Sequence, residues 1–309
     1  MIVTITLNPC IDKTIYLEQL DVGSYNRVFS TRVDISGKGV NVSTALSHFG
    51  LPTHCLGLNF RDNGRMLEEV LKERGVSYDF VMANGAIRTN IKLFDRSCST
   101  MTEINEAGPF VPPQTVELLL DHIQTLLDQT SLLILSGSIP PGVPADIYKK
   151  IISTARAKGV KTILDAAGEP FLQGLEASPF LIKPNTFEFE QAFGEDLQAG
   201  LSMVDIARKV IQKGTSYVCI SMGEEGAMLI DKDHAYRAKP LNIIPRGLTG
   251  AGDSMVAGIC YALYHQLDTR DMLRYAMAAA AGSIRLEGTL LASLEDLQEL
   301  LPQVEIEEL

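Results

Sequence analysis

The sequence predicts an α/β protein, a single domain over 1–309 with a mostly parallel central sheet, helices on both faces and a small second sheet. Three observations carry this. Short β-branched runs alternate with amphipathic helical patterns over most of the chain, the order in which helices return a chain between parallel strands. Residues 13–35 and 86–106 break that rhythm as extended, half-polar runs, so a small β-sheet lid over the main site is expected from them. Hydrophobic residues make up 46% of the 309 and charged residues 21%, enough apolar material for one large core.

Taken in order, IVTITL reads as the first strand, and it lacks the basic segment and small-residue cleavage site of a secretory leader. A cytoplasmic location is therefore expected. ISGKGVNVSTAL sets Gly37 and Gly39 around Lys38 just before a helix. Two readings fit: a plain strand-to-helix turn with a solvated lysine, or free amides and a cation delivered to one spot. In IRTNIKLF, alternation places Arg88, Asn90 and Lys92 on one strand face, which an ordinary exposed lid strand would also show. At ~3.3 Å per residue, Arg88 and Lys92 stand roughly 13 Å apart along the strand, too far to grip one small group equally. The run continues as IKLFDRSCSTMTEI, a hairpin pattern.

SLLILS is a strand that leads into SGSIPPGVP, a rigid connection whose Ser138 could still line a ligand. PADIYKKIISTARAKG reads as a helix, and VKTILD and FLIKP as strands. In KPNTFEFEQAFG, Asn185 precedes Glu188 by three residues, which makes a capping box with no ligand needed. The functional alternative points Lys183, Asn185 and Glu188 at a metal-bound polyphosphate, with Glu188 holding magnesium through water; both roles can coexist. After the strand TSYVCIS comes SMGEEGAML, a turn whose bare Gly223 and Gly226 would let backbone approach a nucleotide near Ser221. The acidic tail VEIEEL is expected to be solvated.

GLTGAGDSMVAG opens the last long helical pattern with glycines and then an acid. Asp253 or Ser254 could simply cap the helix. Alternatively, the amides of Gly250, Ala251 and Gly252 form an anion site at the positive end of the helix, and Asp253 takes a proton from an attacking hydroxyl. The segment has neither the Walker A spacing, nor G-x-G-x-x-G, nor G-x-S-x-G.

Composition excludes several classes. A net charge of −11 without a basic cluster makes nucleic acid and anionic membrane poor partners. No apolar run approaches the roughly 18–20 residues of a membrane helix. The five cysteines are odd in number and scattered, so reduced, mostly buried thiols are expected. The five histidines lack H-E-x-x-H spacing, which argues against a zinc hydrolase.

Together SGKGVNVS, residues 36–43, and LTGAGDSMVAG, residues 248–258, with TLNPCID, SGSIPPG, KPNTFE and SMGEEG, closely resemble the PfkB, ribokinase-like family of sugar kinases over nearly the whole chain. Within it, TLNPCID, the Arg88 segment and TEINEAGP resemble the ketohexose-phosphate branch, 1-phosphofructokinases and tagatose-6-phosphate kinases, with TNIK and Asn105 closer to the former. The resemblance implies a Rossmann-type sandwich with a lid sheet that pairs with a second subunit as a homodimer. It also implies transfer of the ATP γ-phosphoryl group to a sugar-phosphate hydroxyl with Mg2+ present. On that basis Asp253 is the base and Gly250 to Gly252 the anion hole. Asp12, Gly37, Lys38 and Asn41 contact the sugar, with Lys38 and Arg88 on its existing phosphate. Lys183, Asn185 and Glu188 serve phosphate and magnesium; Ser221, Gly223 and Gly226 serve the nucleotide, with Ala279 to Gly282 beside adenine. Ser36 stands where many relatives carry glycine, and LNFRDNGRML lacks their paired glycines; both departures fall on the sugar side. A non-catalytic sugar-phosphate sensor would need no base, so Asp253, the glycines and Glu188 together favour an enzyme.

Overall fold

The computed structural model describes residues 1–247 and 249–309. After β1 (Ile2–Thr6) the chain leaves the main sheet for β2 (Cys10–Leu17) and β3 (Val28–Ser36). Helix α1 (Lys38–His48) returns it to β4 (Thr53–Phe60), and α2 (Arg65–Glu73) leads to β5 (Ser77–Ala83). It departs again as β6 (Arg88–Asp95) and β7 (Thr100–Asn105). Regular alternation follows: α3 (Pro113–Leu126), β8 (Leu132–Ser136), α4 (Ile147–Ala157), β9 (Lys161–Asp165), α5 (Gly168–Leu175) and β10 (Leu181–Ile182). Helices α6 (Thr186–Gln198) and α7 (Met203–Gln212) precede β11 (Tyr217–Ser221), β12 (Ala227–Ile230) and β13 (Ala235–Ala238). The chain ends with α8 (Ala251–Tyr264), α9 (Thr269–Ile284), α10 (Leu294–Leu300) and β14 (Ile306–Glu308).

The main sheet runs β14-β13-β12-β11-β10-β9-β8-β1-β4-β5, parallel from β5 to β11 and antiparallel beyond. Strand periodicity divides its core in two. Val3, Ile5, Leu133, Leu135 and Leu164 face a layer with Leu67, Leu119, Ile151, Phe189 and Ile206 from α2, α3, α4, α6 and α7. Ile2, Leu132, Ile134 and Ile163 face Val42, Val256, Ile259 and Ala276 from α1, α8 and α9. The helices therefore cover both faces, as the alternating sequence requires.

Close approach of α1 to the sheet explains one glycine. A Cβ on Gly39 would lie 2.3 Å from Thr6 Oγ1 and 2.7 Å from the Ile5 carbonyl oxygen, so only a bare backbone lets the helix start against β1.

The second sheet is ordered β3-β2-β6-β7. β2 and β6 are parallel partners, with Asp12 opposite Asn90 and Lys13 opposite Ile91. One face buries Asp12, Asn90 and Lys92. The opposite face carries the row Val33, Lys13, Ile91 and Ile104, whose outer members Val33 and Ile104 are 54% and 53% exposed.

The C-terminal tail exposes its glutamates, as expected, and also forms a short strand. Ile306–Glu308 pairs with β13, Ala238 opposite Ile306, because Ile306 is half-buried against the core while the glutamates stay outside. A short acidic strand blunts that sheet edge. Cys10, Cys55, Cys219 and Cys260 are free and buried and Cys98 free and exposed; burial pushes the Cys55 thiol up to about 11, far from a reactive thiolate. Among the described residues, no helix is long and apolar enough to cross a membrane.

Candidate active site

Parallel strands end together, and their carboxyl ends collect the charged residues. Asp165 closes β9 opposite Ser136, which closes β8, and Lys183 directly follows β10. The Asp165 side chain is 1% exposed. Its Oδ1 accepts from Lys38 Nζ at 3.1 Å and lies 3.3 Å from Lys183 Nζ. Its Oδ2 is buried without a partner among the described residues. Burial pushes this carboxyl upward, but Lys183 and then Lys38 outweigh burial and hold it below the usual carboxylate range. Burial conversely pulls Lys38 down, but Asp165, followed by Asp253 and Glu188, keeps the ammonium above its usual range.

Lys38 opens α1, behind the N-cap Gly37 at φ 144°. One turn later Asn41 donates from Nδ2 to Asp253 Oδ2 at 2.7 Å. Asp253 is the third residue of α8, whose N-cap Gly250 takes the left-handed φ of 85° that glycine permits. No side chain caps this helix. The plain capping role open in the sequence is thus not adopted: Asp253 turns to Asn41, and Ser254 Oγ lies 2.6 Å from Ser283 Oγ. Leu248, the first residue of the motif at 248–258, lies outside the described residues. A Cβ on Gly252 would stand 3.4 Å from Lys183 Nζ, so Lys183 reaches the same helix end. The buried Asp253 carboxyl is pushed up to about 6 by burial and, next among the raising influences, by Asp165; Lys38, Asn41 and Lys183 pull the other way.

The buried face of the small sheet supplies a second cluster. Asp12 accepts from Asn90 Nδ2 at 3.0 Å and from Lys92 Nζ at 3.1 Å, and Lys92 Nζ also donates to Thr249 Oγ1 at 2.9 Å. Arg88 stands apart from Lys92, as its spacing requires. Its Nη1 donates to the Glu106 carbonyl at 2.8 Å, and it lines a cavity of about 400 Å³ with Asn8, Ser138 and Pro140. Asn8 Nδ2 donates to Ser138 Oγ at 3.1 Å and to the Ala107 carbonyl at 3.0 Å.

On the far side of Lys183, Asn185 and Glu188 form the reciprocal capping box of α6. Asn185 Oδ1 accepts from the Glu188 amide at 2.8 Å and Glu188 Oε2 from the Asn185 amide at 2.9 Å. Asn185 bridges to Ser221 at the end of β11. The turn that follows spans Gly223 to Gly226, with Gly226 at φ 89°. Ala279 and Gly282 lie within α9, buried in the helical layer. Among the described residues no group of three potential metal ligands occurs. The Glu188 capping box leaves its second oxygen uncommitted, which suits a water-mediated contact to an ion carried by a ligand.

Three contributors escaped sequence reasoning. Asp165 closes the apolar run VKTILD, and an acid ending a buried strand is a signal that was there to use. Asn8 and Thr249 flank recognised motifs but act through hydrogen bonds that no spacing rule encodes. Chemically, the site offers a buried carboxyl tuned near neutrality, two lysines and an uncapped helix start. That set can take a proton and stabilise anionic oxygens.

A family model described as pfkB family carbohydrate kinase matches residues 5–296. A 1-phosphofructokinase of Xanthomonas campestris pv. campestris is 35% identical over 290 residues, covering 92% of this chain and 91% of its own. That of Bacillus subtilis is 32% identical over 99% of both chains. Among solved structures, phosphofructokinase-2 from Escherichia coli in complex with substrates and products superimposes with a TM-score of 0.89 at 25% identity, covering 97% and 98%. Ribokinase from Thermotoga maritima, at 17% identity with a TM-score of 0.81 over 98% and 99%, shares the fold.

Proposed function

The chain belongs to the pfkB family of carbohydrate kinases, and from that premise we propose that it is a 1-phosphofructokinase, transferring the γ-phosphoryl group of ATP to fructose 1-phosphate to give fructose 1,6-bisphosphate. It is a phosphotransferase with an alcohol group as acceptor. The relatives named 1-phosphofructokinase favour this acceptor over tagatose 6-phosphate. The observation that carries the mechanism is Asp253, buried, held by Asn41 and pushed up to about 6 at the start of an uncapped helix.

In this reading Asp253 orients the 6-hydroxyl and accepts its proton as the oxygen attacks. Its pKa leaves it mostly ionised at neutral pH yet basic enough to take the proton. The amides of Gly250, Ala251 and Gly252 stabilise charge spread over the transferring group, aided by Lys183. Catalysis is then positioning plus electrostatics. Asp12, Gly37, Asn41, Asn90 and Lys92 are assigned to the sugar, and Lys38, Arg88 and Ser138 to its existing phosphate. Asn185, Ser221, Gly223 and Gly226 are assigned to ATP, with Ala279 and Gly282 as the wall behind the adenine. Magnesium brought with the nucleotide and touched by Glu188 through water would neutralise phosphate oxygens.

The small sheet acts as a lid that excludes water, a competing acceptor. Its outer row, Val33, Lys13, Ile91 and Ile104, apolar but for Lys13, suits a homodimer formed sheet against sheet. The deciding experiment measures ADP release with fructose 1-phosphate, tagatose 6-phosphate, fructose 6-phosphate, ribose and adenosine. Fructose 1-phosphate should lead, and Asp253→Asn should lower its turnover about 100- to 10,000-fold with the fold intact. Preference for an unphosphorylated acceptor, or an Asp253→Asn enzyme within tenfold of wild type, overturns the reading.

A further inference from the structure

Lys92 carries its ammonium into a place largely shielded from water. The side chain is 7% exposed, and a desolvated ammonium needs both a counter-charge and hydrogen-bond acceptors. Asp12 gives the charge from the neighbouring strand of the same small sheet, at 3.1 Å. The second acceptor belongs to neither strand: it is the hydroxyl of Thr249, 2.9 Å away and 157 residues further along the chain. Thr249 immediately precedes Gly250, the left-handed N-cap of α8. Rotation at residue 249 therefore re-aims the amides that begin this helix. Among the described residues, Lys92 is the one side-chain partner of the Thr249 hydroxyl.

A second contact joins the same two bodies. A Cβ on Gly288 would meet Arg32 Nε at 2.4 Å, so the β3 guanidinium lies close against the loop after α9. The backbone of that loop in turn lies against Gly247, where an added Cβ would stand 2.9 Å from the Leu286 carbonyl oxygen. Strands β6 and β3 thus both bear on the segment that leads into Gly250.

We propose that Thr249 is a positioning residue for phosphoryl transfer: its hydroxyl, gripped by the buried Lys92 ammonium, aligns the glycine amides at the start of α8 only while the small sheet is seated. Substrate binding under that sheet is thereby coupled to assembly of the anion hole. The inference rests on the kinase reading above, but it concerns a residue to which that reading gives no contact with the transferred group or the acceptor.

The test compares Thr249→Val, which removes the hydroxyl at nearly constant volume, with Thr249→Ser, which keeps it. Turnover and KM for fructose 1-phosphate and ATP are measured beside thermal melting of each protein. Loss of a hydrogen bond to a charged group corresponds to about a 10- to 100-fold effect, expected here as a fall in kcat for Thr249→Val. KM for ATP should stay within about threefold, and Thr249→Ser should recover turnover to within about threefold of wild type, the pattern of a transition-state interaction restored. Should Thr249→Val not fold, Thr249→Ala takes its place in the same comparison. A hydroxyl-free variant within about twofold of wild type, or a serine variant as impaired as the valine one, overturns the proposal. If wild type ignores fructose 1-phosphate, the substrate assignment fails instead, and the same variants are compared on whichever acceptor wild type uses.

Discussion

Asp165 sets the terms for its neighbours. One of its oxygens is shared by Lys38 and Lys183, and its charge raises the Asp253 pKa against the pull of those two ammonium groups. Asp165→Asn should therefore shift the acid limb of the kcat/KM profile, set in wild type near the Asp253 value of about 6, to lower pH by about one unit, the scale of a removed neighbouring charge. Ionisation of the substrate phosphates is common to both enzymes, so the difference between the two profiles is the readout; coincident limbs would show that Asp165 does not tune the base. Stability follows the same sign. Native Asp253 holds its proton more tightly than the unfolded chain, its carboxyl raised to about 6 from the ordinary 3.8. Its contribution thus weakens as pH rises through that window and is recovered as pH falls back through it. Asp253, Lys38 and Lys183 were legible in the sequence because glycine turns and a capping pattern frame them. Asp165 was not, because a strand-ending acid acquires meaning only when other strands end beside it.

At the scale of elements, the two glycines of SGKG divide the labour differently from what their pattern suggests. Gly37 caps α1 at φ 144°, whereas Gly39 admits the helix to within contact of β1. A methyl group at Gly39 would strike the Ile5 carbonyl at 2.7 Å, and backbone cannot step aside. Gly39→Ala should thus lower the urea-unfolding free energy by about 1–3 kcal/mol, the cost of overpacking; an unchanged midpoint would mean that α1 shifts freely. Helix α6 shows the opposite outcome, since Asn185 and Glu188 satisfy the capping reading in full, and the same two residues remain available for the nucleotide. The acidic tail is solvated at its glutamates, as expected, but composition does not report the single Ile306 that secures the edge strand.

Across the whole molecule, the α/β class was readable from alternation alone, whereas the first strand of the small sheet starts at Cys10, ahead of the break expected at 13–35. Hidden from the sequence was the way β2 and β6 pair in parallel and turn their polar faces inward, since register depends on partners far apart in the chain. The outward row, apolar but for Lys13, yields a prediction at this scale. Ile104→Glu should convert a dimer seen by sedimentation velocity into monomer, because a charge cannot be buried unpaired in such a contact; a wild-type protein that sediments as a monomer at tens of micromolar would dismiss the sheet-to-sheet dimer.

The interleaving of β2 with β6 also has a bearing on biogenesis. Asp12 and Asn90, hydrogen-bonded across that ladder, are 78 positions apart, and β4, α2 and β5 lie between. During synthesis the β2–β3 ribbon leaves the ribosome with one edge bare until β6 is made. Contacts of such range are slower to form than local ones, so the bare edge persists while β4, α2, β5 and β6 are made, and ribosome-associated chaperones have a clear task in that interval.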